Sequence, residues 1–149
     1  MTAFRRILHP TDFSRASAPA FRRAVALARA CRAPLVVLHV MTPPSPFISE
    51  GAPPSSYLDL LVLARRSAKR RLAAVLARAR RERVRARAIF AEGLPADGIL
   101  RAARRARVDL IVMGTHGRTG VSRVFMGSVA DRVVRESRCP VLTVRVHGR

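Results

Sequence analysis

The chain has 149 residues, about the size of one ordinary domain, and 49% of them are apolar, so it buries a real core and is not a disordered chain. Its formal net charge is +20, with 28 arginines and the single lysine Lys69 set against 9 acidic residues. No apolar run approaches the roughly 18 to 20 residues of a membrane span, and the two cysteines, Cys31 and Cys139, suggest neither a disulfide framework nor a structural zinc site.

The opening, MTAFRRILHPTDF, passes from a short basic stretch into a strand-like run without the apolar core or cleavage site of a signal peptide, so a cytoplasmic protein is expected. Phe4 to His9 reads as the first strand, closed by Pro10. Ser14 or Ser17 is placed to cap a helix that carries Pro19 in its first turn, with Ala18, Phe21, Val25, Ala28 and Cys31 recurring at helical spacing. Leu35 to Val40 is a continuous apolar run rich in β-branched residues, the mark of a strand covered on both faces. From Thr42 to Ser56 five prolines, four serines and Gly51 predict a long loop, a lid or a partner contact.

Tyr57 to Glu82 reads as a long helix, one face traced by Leu58, Leu61, Val62, Ala68, Leu72, Val75, Leu76 and Ala79 and interrupted by Arg65. Arg83 to Phe90 alternates like a strand, and Gly93-Leu94-Pro95 opens a helix through Ala106. Asp109 to Met113 is another buried strand, Gly127 to Glu136 a short helix and Pro140 to Val146 a final strand. The order βαβαβαβαβ predicts one α/β domain, an open five-stranded parallel sheet with right-handed crossovers and helices on both faces. Such sheets bind ligands beyond the carboxyl ends of their strands, where the strand order reverses.

Chemistry concentrates after the fourth strand. Gly114, Gly117 and Gly120 fall in GTHGRTG, and nine residues separate Gly117 from Gly127-Ser128, where the next helix begins. Glycines let backbone N–H groups approach phosphate oxygens, and a helix start aims free N–H groups and its positive dipole end at the same anion. Ser128 adds a hydroxyl and Arg118 a charged fork. The segment is neither a Walker A sequence nor the dinucleotide G-x-G-x-x-G.

The stretch DLIVMGTHGRTGVSRVFMGSVADRVVRESRCPVLTVR resembles the C-terminal signature of the universal stress protein family. The ATP-binding branch of that family carries G-x2-G-x9-G-S/T, met here by Gly114, Gly117, Gly127 and Ser128, and ILHPTDFS and PLVVLHV resemble its first two strands. The resemblance implies strand order 3-2-1-4-5 in a Rossmann-like sheet with ATP at the switch point between strands one and four. By matching positions, Pro10, Thr11 and Asp12 would lie beside adenine and ribose, with the Val40 backbone at the adenine edge. Met113, Gly114, His116, Gly117 and Arg118 would follow ribose and phosphates, and Gly127, Ser128 and Val129 would cradle the phosphates. It also implies magnesium or manganese on the phosphates and a homodimer paired through Val141 to Val146, which would hide an open sheet edge.

No nucleophile–base–orienter set and no carboxylate pair suited to acid–base work emerges, so a nucleotide-dependent binding or signalling protein is expected rather than an enzyme, with at most slow ATP hydrolysis. Asp12 reads equally well as a cap of the following helix. His9 and His39 are expected on neighbouring strands with no third metal ligand, and His116 as a ligand neighbour rather than a base. The charge exceeds what is common in the family and raises an alternative, non-specific nucleic-acid or polyanion binding through arginines spread from Arg5 to Arg149.

Overall fold

In the computed structural model, which describes residues 3–45, 54–116 and 126–145, helices and strands alternate as the apolar periodicities require. β1 (Ile7–Pro10) leads through a short 3-10 turn (Arg15–Ser17) to α1 (Ala18–Cys31), then β2 (Leu35–Met41), α2 (Pro54–Arg81), β3 (Ala86–Glu92) and α3 (Pro95–Arg105). β4 (Leu110–Gly114), α4 (Ser128–Glu136) and β5 (Val141–Val144) follow. The five strands form one sheet in the order β3-β2-β1-β4-β5, every pair parallel. The chain turns from one side of β1 to the other between β3 and β4, which makes the β1–β4 boundary the switch point.

Two-residue alternation along the buried strands divides the core in two. Leu8, Val36, Leu38, Ile111 and Met113 face α3 and α4 and pack with Ile99, Leu100 and Val133. Ile7, Leu35, Val37, Leu110 and Val112 face α1 and α2 and pack with Phe21, Val25 and Leu72. Strands buried on both faces explain why β2 and β4 read as largely apolar runs.

Several boundaries differ from the expected ones. β1 starts at Ile7 rather than Phe4 because the backbone N–H groups of Arg5 and Arg6 donate to the Asp109 carboxylate (2.7 and 2.9 Å), which holds them away from the ladder. β3 starts at Ala86 rather than Arg83, since Arg83 and Val84 finish α2 by donating to carbonyls of its last turns. Neither Ser14 nor Ser17 caps α1 through its side chain. The Ser17 hydroxyl instead donates to the Ser14 carbonyl at 2.8 Å and meets the Thr11 hydroxyl at 3.2 Å.

The expected loop over 42–56 is shortened by α2, which begins at Pro54, and 46–53 lie outside the described residues. The expected apolar face of α2 holds only in its second half. Ala68, Leu72 and Ala79 are buried, whereas Leu58 and Val62 are exposed. A helix of 28 residues is about 42 Å long, against about 23 Å for a seven-residue strand, so its first turns run past the sheet. Arg65, the break in that face, forms a two-pronged ion pair with Glu92 at the end of β3 (2.6 and 3.0 Å).

Candidate functional site

A cavity of about 270 Å³ opens at the carboxyl ends of β1 and β4, where the topology places the switch point. One wall is the turn after β1. Leu38 accepts the Thr11 N–H at 2.8 Å and the Thr11 carbonyl lies 2.8 Å from His39 Nδ1, so the turn is tied to β2 as it leaves the sheet. Past that point β1 no longer covers β2. Leu38 directs its carbonyl toward β1, and strand alternation turns the N–H and C=O of Val40 to the same side, facing the cleft.

Asp12 closes a local turn, its Oδ1 accepting both the backbone N–H (2.9 Å) and the hydroxyl (2.6 Å) of Ser14. Oδ2 has no hydrogen-bond partner among the described residues. A carboxylate is acceptor-only, so this oxygen suits a ligand hydroxyl and would repel a phosphate. Phe13, next in the chain, holds a left-handed backbone (φ 64°) that lets the turn double back, and its ring stacks on His39 at 4.2 Å.

The opposite wall comes from the end of β4 and the start of α4. Gly127 donates its N–H to the Thr115 carbonyl at 2.7 Å, which locks the helix start against the strand end. A Cβ on Gly127 would stand 3.2 Å from that same carbonyl oxygen, and its φ of −60° shows that close approach, not a left-handed backbone, calls for glycine. Among the described residues no side chain caps α4. The first-turn N–H groups of a helix have no intrahelical partners, and Ser128, Val129 and Ala130 all line the cavity. His116 Nδ1 meets the Thr115 hydroxyl at 2.9 Å, while its buried Nε2 has no partner among the described residues.

The cavity therefore gathers Pro10, Thr11, Asp12, Val40, Met113, Gly114, His116, Gly127, Ser128 and Val129. Gly117 and Arg118, the other two expected contacts, lie outside the described residues. Five lining residues were not anticipated: Ser17, Pro95, Ile99, Thr115 and Ala130. Pro95 and Ile99 arrive from α3, which the sequence offered only as a helix opened by Gly93-Leu94-Pro95. Pro10, Val40, Ile99, Met113 and Val129 give the cavity an apolar slot, with the N–H groups at the start of α4 as donors beside it.

His9 lies beneath the cavity on the α1 side of the sheet, fully buried, with Nδ1 donating to the Val112 carbonyl at 2.9 Å and its ring 5.7 Å from Phe21. Burial lowers its pKa to about 4, against opposing contributions from the Val112 bond and the Asp12 charge. It is therefore neutral at physiological pH. His9 and His39 do lie on adjacent strands, each bound to a carbonyl, and no cluster of three metal-ligating side chains occurs among the described residues.

An open parallel sheet with helices on both faces and a cleft at the switch point places the chain in the doubly wound α/β class. The chain belongs to the universal stress protein family, whose family model matches residues 3–145. It is 35% identical over 143 residues to the universal stress protein MJ0531 of Methanocaldococcus jannaschii, covering 95% of this chain and 82% of the relative. Among solved structures, protein MJ0577 of the same organism superposes with a TM-score of 0.85 at 26% identity, covering 99% of this chain and 100% of the other. A universal stress protein from Archaeoglobus fulgidus, solved in complex with dAMP, shares the fold with a TM-score of 0.68 at 21% identity, covering 95% and 98% of the two chains.

Proposed function

We propose that this protein is an ATP-binding universal stress protein, a nucleotide-dependent stress-response or signalling protein that hydrolyses ATP slowly if at all. The observation that carries the reading is the convergence in one cleft of an apolar slot, Asp12 Oδ2, His116 Nε2 and the start of α4, the last three without partner or cap among the described residues. Adenine fits the slot beside Val40 and Met113, the ribose hydroxyls suit Asp12, and the phosphates suit the N–H groups of Ser128 and Val129. Within the same reading, Gly117 and Arg118 complete the phosphate cradle and magnesium or manganese neutralises the phosphate charge. The fold is one that holds dAMP in the Archaeoglobus fulgidus protein.

Slow chemistry follows from what surrounds the polar end. Nucleotide hydrolysis needs a base or an orienting group for the attacking water. The one carboxylate in the described lining, Asp12, lies at the ribose end of the slot in this reading. We further propose a cytoplasmic homodimer joined by antiparallel pairing of the last strand, Val141 to Val146.

Calorimetric titration with ATP and mass spectrometry of co-purifying small molecules test the reading together. The native chain is expected to bind ATP, and Gly127→Val to weaken it at least tenfold, because the added side chain pushes the Thr115 carbonyl and the helix start apart. Unchanged affinity in a folded Gly127→Val protein would sink the site assignment.

A further inference from the structure

The sequence scatters arginine along its length, and the fold collects part of that scatter in one row. In a parallel sheet every strand starts at the same end, here opposite the cleft. Taken in sheet order, the approaches to the strands carry Arg83 and Arg85 before β3, Arg32 before β2, Arg5 before β1, Arg107 before β4 and Arg138 before β5, all exposed. With strands about 4.8 Å apart the row is about 20 Å long. Hollows open along it, one lined by Arg5, Arg32 and Arg85 and another by Arg104, Arg107 and Arg138.

Asp109, Glu82 and Glu136, the carboxylates beside the row, form no ion pair with its guanidinium groups. Asp109 binds the backbone of Arg5 and Arg6, Glu82 pairs with Arg29 at 3.2 Å and Glu136 with Arg132 at 2.9 Å. The ion pairs among the described residues engage Arg29, Arg65, Arg132 and Arg135 and none of the row.

A second observation is independent of charge. α1, α2 and α3 end in the same backbone motif, in which the N–H of Ala33, Val84 and Val108 reaches back five residues to Ala28, Ala79 and Ala103 (2.9, 3.4 and 3.1 Å). The residue before each is left-handed: Arg32 (φ 53°), Arg83 (φ 61°) and Arg107 (φ 50°). Glycine ordinarily holds that position, because a Cβ is disfavoured in this conformation. The chain uses arginine all three times, against local backbone preference, and each time the residue stands in the row.

We propose that this amino-terminal rim docks the phosphate backbone of duplex nucleic acid without reading its sequence. Guanidinium groups match phosphate oxygens two at a time. Over about 20 Å of axis a duplex carries roughly twelve phosphates. A lipid surface fits less well, because none of the exposed large apolar side chains among the described residues belongs to these five approaches. Unpaired strands fit less well too, since Phe4, beside the row, packs against the core and offers no ring for stacking. The proposal does not depend on nucleotide in the cleft.

The test is fluorescence anisotropy of a mixed-sequence duplex of about 20 base pairs with the full chain across a salt series. The logarithm of affinity is expected to fall linearly with the logarithm of salt, with a slope of about −5 if six phosphates are engaged. The triple variant R32G/R83G/R107G is expected to lose about three of those units, while its Tm holds or rises and its ATP titration is unchanged. R22Q/R23Q/R66Q, which removes the same charge from exposed helix faces, is expected to leave the slope nearly intact. Equal losses in both triples would reduce the effect to bulk charge and overturn the assignment. So would absence of duplex binding at about 0.1 M salt, or binding of phosphatidylserine vesicles without binding of duplex.

Discussion

Gly98 sits in α3 where a Cβ would lie 2.6 and 2.7 Å from the two methyl groups of Val40. The missing side chain is what lets α3 press Val40 and Ile99 into one wall of the cleft. Gly98→Ala is expected to gain helix propensity of about 1 kcal/mol and lose about 1 to 3 kcal/mol to overpacking, so chemical denaturation should show a modest net loss. ATP affinity should fall more noticeably, because Val40 must turn or α3 must withdraw. Unaltered affinity would remove Val40 from the base slot. His9 adds a pH dependence. Its folded pKa, about 4, lies below the ordinary 6.5, so below pH 6.5 the unfolded chain takes a proton that the folded one refuses. Stability from this group is complete above pH 6.5, falls through the interval down to pH 4 and is flat below it, a loss of roughly 2 kcal/mol between pH 7 and pH 5. Urea titrations at the two pH values should show that loss in the native protein and a smaller one in His9→Gln. At this scale the sequence was informative where a residue's neighbours are close along the chain, as with Gly127 and Ser128. It was silent about Gly98, whose reason is a methyl group 58 residues away across the sheet.

Among the elements, the three matching helix ends carry a measurable cost. A left-handed residue other than glycine is disfavoured by roughly 1 to 2 kcal/mol. Part of that returns as lost unfolded-chain restriction when glycine is introduced, so each of Arg32→Gly, Arg83→Gly and Arg107→Gly is expected to stabilise the fold by up to about 1 kcal/mol. Thermal and urea unfolding of the single variants would show it. Destabilisation in all three would mean that the arginine stems hold the helix ends by packing. The α3–α4 wall of the cleft has its own tie, Arg132 reaching Asp97 at 2.6 Å. Apolar patterning announced α1, β2 and α2, and turn and glycine signals announced α3 and α4. Neither announced their ends. Those depend on backbone donors such as the N–H groups of Arg5 and Arg6, whose partner Asp109 is about a hundred residues away. Nor does a periodic face reveal that α2 outruns the sheet it lies on, since helix length and sheet length are set by different segments.

For the whole molecule, a parallel sheet with helices on both faces was legible because alternating elements admit few topologies, whereas the strand order, which the sheet bears out, came from the family resemblance. The grouping of arginines was not legible. Residues spread from Arg5 to Arg138 become neighbours only when five strands start along one line. Assembly belongs to this scale as well. β5 is an edge strand with β4 as its neighbour in the sheet, and Leu142 on it is 37% exposed. If the last strands pair between copies, sedimentation should find a dimer in the native chain and a monomer in Leu142→Lys. A monomeric native chain would dismiss the pairing.

α1 to α4 run counter to the strands, so their positive ends point toward the cleft side and their negative ends toward the rim. In a sheet of this kind that arrangement alone would make the molecule a head-to-tail dipole, able to stack pole to pole. The arginine row reverses the sign of the tail. Both poles are then positive, and copies repel each other along the strand axis.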